Sequence, residues 1–100
     1  MKTTIKETND GYLVTLEGEL DTASAIEVDQ QLQPLFKVSG KEILMDCAHL
    51  EYIASSGLRI LLGLLKSAKA NDNKLVLRHL NEEITNVFKM TGFVDIFTIE

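Results

Sequence analysis

The strongest constraint on the fold is an alternation of two periods along the chain. After an opening pair of short alternating segments, brief apolar runs are interleaved with three longer stretches whose apolar residues recur every three or four positions. That pattern joins strands through helices, and such crossovers are right-handed, so it predicts a mostly parallel sheet covered by helices. Thr3 to Glu7 and Tyr12 to Glu17 flank the turn signal Asn9-Asp10-Gly11 and read as a hairpin, with Tyr12, Val14 and Leu16 alternating against Leu13, Thr15 and Glu17. Asp21 or Thr22 is expected to cap a first helix carrying Ala25, Val28, Leu32, Leu35 and Phe36. Ser24 and Glu27 offer a capping box one turn later, and Pro34 should kink or end the helix. Lys41 to Cys47 reads as a buried strand, His49 to Ser55 as a loop, and Ser56 to about Ala70 as a helix apolar on more than one face. Asn71-Asp72-Asn73 turns into a strand over Lys74 to His79. Asn81 then caps a helix with Ile84, Val87 and Phe88 inward, which Gly92 ends by a closure that brings Phe93 onto Phe88. A last strand is expected over Asp95 to Ile99. The fold class is α/β: one domain over residues 1–100, in the order β-β-α-β-α-β-α-β, with an antiparallel edge on an otherwise parallel sheet.

Composition narrows the function. At 100 residues and 45% apolar side chains, the chain suffices for one core without metal or disulfide staples. Its one cysteine, Cys47, forms no internal disulfide, which leaves a reducing compartment or a redox-indifferent one, the cytoplasm being the simpler expectation. The segment MKTTIKETNDGY lacks the apolar centre of an export signal, and no run approaches the roughly 20 apolar residues of a membrane span. No stripe of Lys and Arg is present, and the sequence pI is near 5.0, so nucleic acid is excluded as a partner. The net charge is −5, and all of it lies in residues 1–30, where two lysines face seven carboxylates; the remaining residues balance eight against eight. Such an excess either solvates an edge or steers a basic partner surface.

Chemistry-bearing residues gather in two segments. Gly18-Glu19-Leu20-Asp21-Thr22 links a strand to the first helix, and Asp46 through Gly57 links a strand to the second. If these strands are neighbours, Asp21 and the pair Ser55-Ser56 converge at one end of the sheet. The serines and Gly57 open a long apolar helix, where unpaired N–H groups and the helix dipole favour an anion. Phosphate on a serine there would add about −1.5 to −2 charge beside Asp21. The structural alternative makes Asp21 and both serines plain helix caps. A nucleophilic serine with His49 or His79 as base and Asp46 as orienter lacks the surrounding G-x-S-x-G elbow. Cys47 and His49, with Asp46 beside them, fall short of the four ligands of a closed zinc site. Cys47 reads instead as a small core residue and His49 as a loop residue. No phosphate-binding glycine loop occurs, so no nucleotide or other cofactor is expected.

The same segments resemble the STAS domains, specifically the stand-alone bacterial anti-sigma factor antagonists. Gly18-Glu19-Leu20-Asp21, Ile43-Leu44-Met45-Asp46, Tyr52-Ile53-Ala54-Ser55-Ser56-Gly57-Leu58 and Met90-Thr91-Gly92-Phe93 carry the likeness, which spans nearly the whole chain. The resemblance implies a regulatory protein, not an enzyme, that binds an anti-sigma factor and so frees a sigma factor. It implies that the anti-sigma factor is a serine kinase that supplies ATP and magnesium and ends the binding by phosphorylating Ser55. Asp21, Ser55, Ser56, Gly57, Leu58 and Arg59 would then form the partner surface. Ala54 stands where phosphorylated members often carry aspartate, so a second expectation is a STAS interaction or sensory module without phosphorylation.

Overall fold

A computed structural model describes residues 1–100. Strands β1 (Lys2–Glu7) and β2 (Gly11–Leu20) form the antiparallel hairpin, with Ile5 opposite Val14 and Thr3 opposite Leu16. Helix α1 (Thr22–Leu32) follows and passes into a 3-10 turn over Gln33–Phe36 that holds Pro34. Proline has no N–H to continue the α-helical ladder, which accounts for the change of helix type. Then come β3 (Glu42–Ile53), α2 (Ser55–Ala70), β4 (Lys74–Arg78), α3 (Glu82–Thr91), a 3-10 turn over Phe93–Asp95 and the short β5 (Thr98–Ile99). The five strands lie in sequence order, with β2, β3, β4 and β5 parallel. Every right-handed crossover therefore advances in one direction, which stacks all three helices on one face.

That face carries the core. Val14, Leu16, Ile43, Met45, Cys47, Leu75 and Leu77 are closed off by Val28, Leu32, Leu61, Leu64, Ile84 and Phe88 from the helices. The opposite face presents the row Thr15, Asp46 and Arg78, in mutual register.

Four expected boundaries shift, each for a local reason. β2 continues through Gly18, Glu19 and Leu20, and β3 continues through the expected loop at His49 to Ile53, because the two strands pair along that whole length. The pairing carries two register shifts: Thr15 faces Asp46 while Glu17 faces His49, and Gly18 faces Leu50 while Glu19 faces Tyr52. Each shift gives β3 one extra residue, so its buried positions there, Cys47, Leu50 and Ile53, are three apart rather than two. At the other end of the chain, Phe93–Asp95 coils into the 3-10 turn and leaves only Thr98 and Ile99 in the sheet. The coil lets Phe88, Phe93 and Phe97 cluster with ring centroids 5.5–5.9 Å apart. β4 stops at Arg78, and His79 lies just beyond it with φ 64°.

Candidate functional site

β2 and β3 are neighbours and end together, Leu20 opposite Ile53. The Ala54 N–H donates to the Leu20 carbonyl at 2.9 Å, so the residues that follow, Asp21 and Ser55, leave the sheet side by side. The first turns of the two helices also touch, with the Ser56 hydroxyl 3.4 Å from that of Thr22. The structure therefore brings Asp21 together with Ser55 and Ser56, which follow it by 34 and 35 positions in the chain.

Asp21 is the N-cap of α1. Its Oδ1 accepts from the Ser24 N–H at 2.9 Å, and the Asp21 N–H donates to Ser24 Oγ at 3.0 Å, a reciprocal capping box. Ser24 Oγ also lies 3.0 Å from the Glu19 carbonyl, which ties the cap back to β2. The bonds from the Ser24 backbone and then the Ser24 hydroxyl hold the Asp21 carboxyl below its ordinary value, so it stays ionised. Of the two helix starts open to the sequence, the earlier one forms, capped by Asp21.

Neither serine caps α2. The N-cap is Ala54, whose methyl group accepts no hydrogen bond. Ser55 is therefore the first helical residue, and its hydroxyl is exposed, while Ser56 is partly covered. Gly57 is buried: a Cβ there would lie 2.6 Å from Leu20 Cγ and 2.9 Å from Ile53 Cγ1, so the glycine lets the start of α2 press onto the strand ends. Leu58 is buried beside it, and Arg59 returns to the surface. Of the six expected partner residues, Asp21, Ser55, Ser56 and Arg59 reach solvent, whereas Gly57 and Leu58 are buried beneath them.

The catalytic alternative meets a geometric obstacle. Asp46 does pair with a histidine, its Oδ1 3.0 Å from His79 Nδ1, and it accepts the Ala48 N–H at 3.0 Å. The bond to His79, with a lesser contribution from the Ala48 N–H, outweighs the opposing effect of burial and holds the Asp46 carboxyl below its ordinary range. But Asp46 stands seven residues before Ile53 on β3, which at about 3.3 Å per residue sets the pair on the order of 20 Å from Ser55, far outside hydrogen-bond reach. Cys47 faces the core as read from the sequence, its thiol pushed up to about 12 by burial and, less, by Asp46. His49 sits on β3 opposite Glu17 rather than in a loop. The feature that sequence reasoning missed is a groove between α1 and α2 that begins beside Ser56.

Comparison with known proteins decides the family. A sequence model of the STAS domain matches residues 2–100. The chain belongs to the STAS domain family. This STAS domain is 30% identical to an anti-sigma-B factor antagonist of Staphylococcus epidermidis, over 91% of this chain and 84% of that protein. Its fold matches a STAS domain protein of Planctomyces limnophilus at a TM-score of 0.87 and 12% identity, covering 98% of this chain and 87% of the other. It also matches the Bacillus cell fate determinant SpoIIAA in the phosphorylated form at a TM-score of 0.76 and 18% identity, covering 99% and 91% of the two chains. No helix is long and apolar enough to cross a membrane.

Proposed function

We propose that this STAS domain is an anti-sigma factor antagonist that binds a kinase-type anti-sigma factor in the cytoplasm and releases its sigma factor, and that phosphate on Ser55 ends the binding. The observation that carries the reading is the exposed Ser55 hydroxyl on the first residue of α2, held beside the ionised Asp21 by the bond between Ala54 and Leu20. A kinase must bring a γ-phosphate and its magnesium to that oxygen, so ATP and the metal belong to the partner. Asp21, Ser56 and Arg59 surround the acceptor as partner contacts, and Gly57 and Leu58 fix their backbone. Once transferred, the phosphate brings about −1.5 to −2 charge to a surface that previously packed against the partner's nucleotide phosphates, and like charges at that distance drive the two apart.

A second reading, constitutive binding without phosphorylation, is favoured by Ala54. That residue puts no carboxylate next to the acceptor. Incubation with the host's anti-sigma kinase and ATP, followed by intact mass measurement, separates the two. One added phosphate in the wild type and none in Ser55→Ala supports the switch, and continued binding with no added phosphate supports the constitutive module. Ser55→Asp should weaken partner binding at least tenfold, while Ser55→Ala binds as the wild type does.

A further inference from the structure

The first turns of α2 hold an unpaired cation and no anion. α3 carries Glu82 and Glu83 in its first turn, whereas α2 has no acidic residue there and Arg59 just beyond. Arg59 is exposed and has no carboxylate within 4.0 Å, although Asp29 lines the same groove between α1 and α2. α1 has no Lys or Arg, and the next cation along α2 is Lys66, two turns on. Nothing in the fold uses the charge of Arg59. Its spacing from Ser55 does suit an ion pair. The two residues stand four apart on one regular helix, which sets their Cβ atoms about 5–6 Å apart on the same face. Side chains on a helix lean towards its N-terminus, so the long Arg59 stem is directed back over the turn that holds Ser55. Ser56 contacts Thr22, and Gly57 and Leu58 are buried, so no residue of α2 stands between the two.

We infer that the phosphate on Ser55 is held within the same chain by the Arg59 guanidinium, which thereby leaves the partner surface. This pairing rests on the reading that Ser55 is phosphorylated, and it names what the phosphate contacts once formed. An anion N-terminal to a cation at this spacing is the favourable order on a helix, and the planar guanidinium can offer two N–H groups to two phosphate oxygens at once. Modification then changes the surface twice. It adds about −1.5 to −2 charge beside Asp21, and it withdraws the one arginine that the start of α2 offers to a partner. The switch acts by removing a contact as well as by repulsion.

Phosphoserine encoded at position 55 during translation tests this on the protein alone, without a kinase. In phosphorus NMR titrations the second ionisation of the phosphate should fall about 0.5 pH higher in Arg59→Gln than in the wild-type background, and Arg59→Lys, which keeps the charge, should recover part of the difference. Glu19, Asp21 and Asp29 remain in all three proteins, so the difference reads Arg59 alone. In thermal unfolding the same phosphoserine should raise Tm by about 2–4 °C more in the wild-type background than in Arg59→Gln. Equal ionisation in the two backgrounds overturns the pairing, as does the absence of any difference in Tm. An equal effect from Lys66→Gln, whose charge is exposed two turns further along α2, would assign the shift to overall charge and also overturn it. These results are separable from those of the switch. An unmoved ionisation defeats the pairing even where the host kinase phosphorylates Ser55, and a kinase that leaves Ser55 unmodified defeats the switch, and with it the role of this pair, whatever the encoded phosphoserine shows.

Discussion

At the scale of single residues, the site depends on one side chain that is missing and on carboxylates that are never protonated near neutrality. Gly57 allows α2 to begin against Leu20 and Ile53, and Gly57→Ala drives a methyl group to 2.6 Å from Leu20 Cγ. Overpacking of this kind costs about 1–3 kcal/mol, so urea unfolding should register that loss, and the tilted helix start should slow phosphate transfer to Ser55 even where the fold survives. Asp46 supports a different prediction. Its folded pKa lies below the ordinary 3.8 chiefly through His79, so its contribution to stability is complete above the unfolded value and is lost as the pH falls below about 4. Asp46→Asn should flatten the acid limb of a stability profile in that window and leave phosphorylation unchanged, because the pair lies far along β3 from Ser55. The role of Asp21 as a cap was legible from its place before a helical period. That Ser55 and Ser56 are not caps was not legible, because sequence favours a hydroxyl at the N-cap and only the Ala54 bond to Leu20 moves the helix start one residue earlier.

At the scale of elements, α2 is the least well closed of the three helices at its start. Asp21 and Asn81 cap α1 and α3 with side-chain oxygens, the latter accepting the Ile84 N–H at 2.8 Å, whereas α2 begins on a methyl group. Ala54 already has the extended backbone of an N-cap, φ −90° and ψ 170°, so Ala54→Ser should place an acceptor over the first turn and stabilise the fold by about 0.5–2 kcal/mol, read as a higher urea midpoint with unchanged slope. Asn81→Ala should lose about 1 kcal/mol and more if its second contact, Nδ2 to the Leu50 carbonyl at 3.2 Å, also matters. Elements with a steady period were readable in advance: α1, α2, α3 and β4 fall within a residue or so of their sequence assignments. β3 was truncated in that reading because two register shifts turn its inward period from two to three past Cys47. β5 was overextended because Phe97 looks like a strand residue until the contacts with Phe88 and Phe93 are known. Both errors come from long-range pairing that overrides local pattern, and the first falls on the strand that delivers Ser55 to the surface.

At the scale of the whole molecule, the consecutive strand order gathers all helices on one face, and it sets the end of β2 that carries Glu19 and Asp21 beside the start of α2. The acidic excess of residues 1–30 is thereby split in space. Glu7 and Asp10 sit at the hairpin turn, while Glu19, Asp21, Glu27 and Asp29 surround the candidate surface at the other end of β2 and along α1. Ten strand residues separate the hairpin pair from Glu19 and Asp21 by about 30 Å, some three Debye lengths at 0.1 M salt, so the hairpin pair is screened from a partner arriving at Ser55. If the charge merely keeps the surface solvated, neutralising either group should have the same small effect. If it steers a basic partner, Glu19→Gln should slow association severalfold at low salt, Asp10→Asn should not, and the difference between them should vanish as salt is raised, with dissociation rates nearly unchanged throughout. Stopped-flow association with the anti-sigma factor over a salt series reads all three quantities. Equal rates for the two variants at low salt would reduce the −5 to solubility alone.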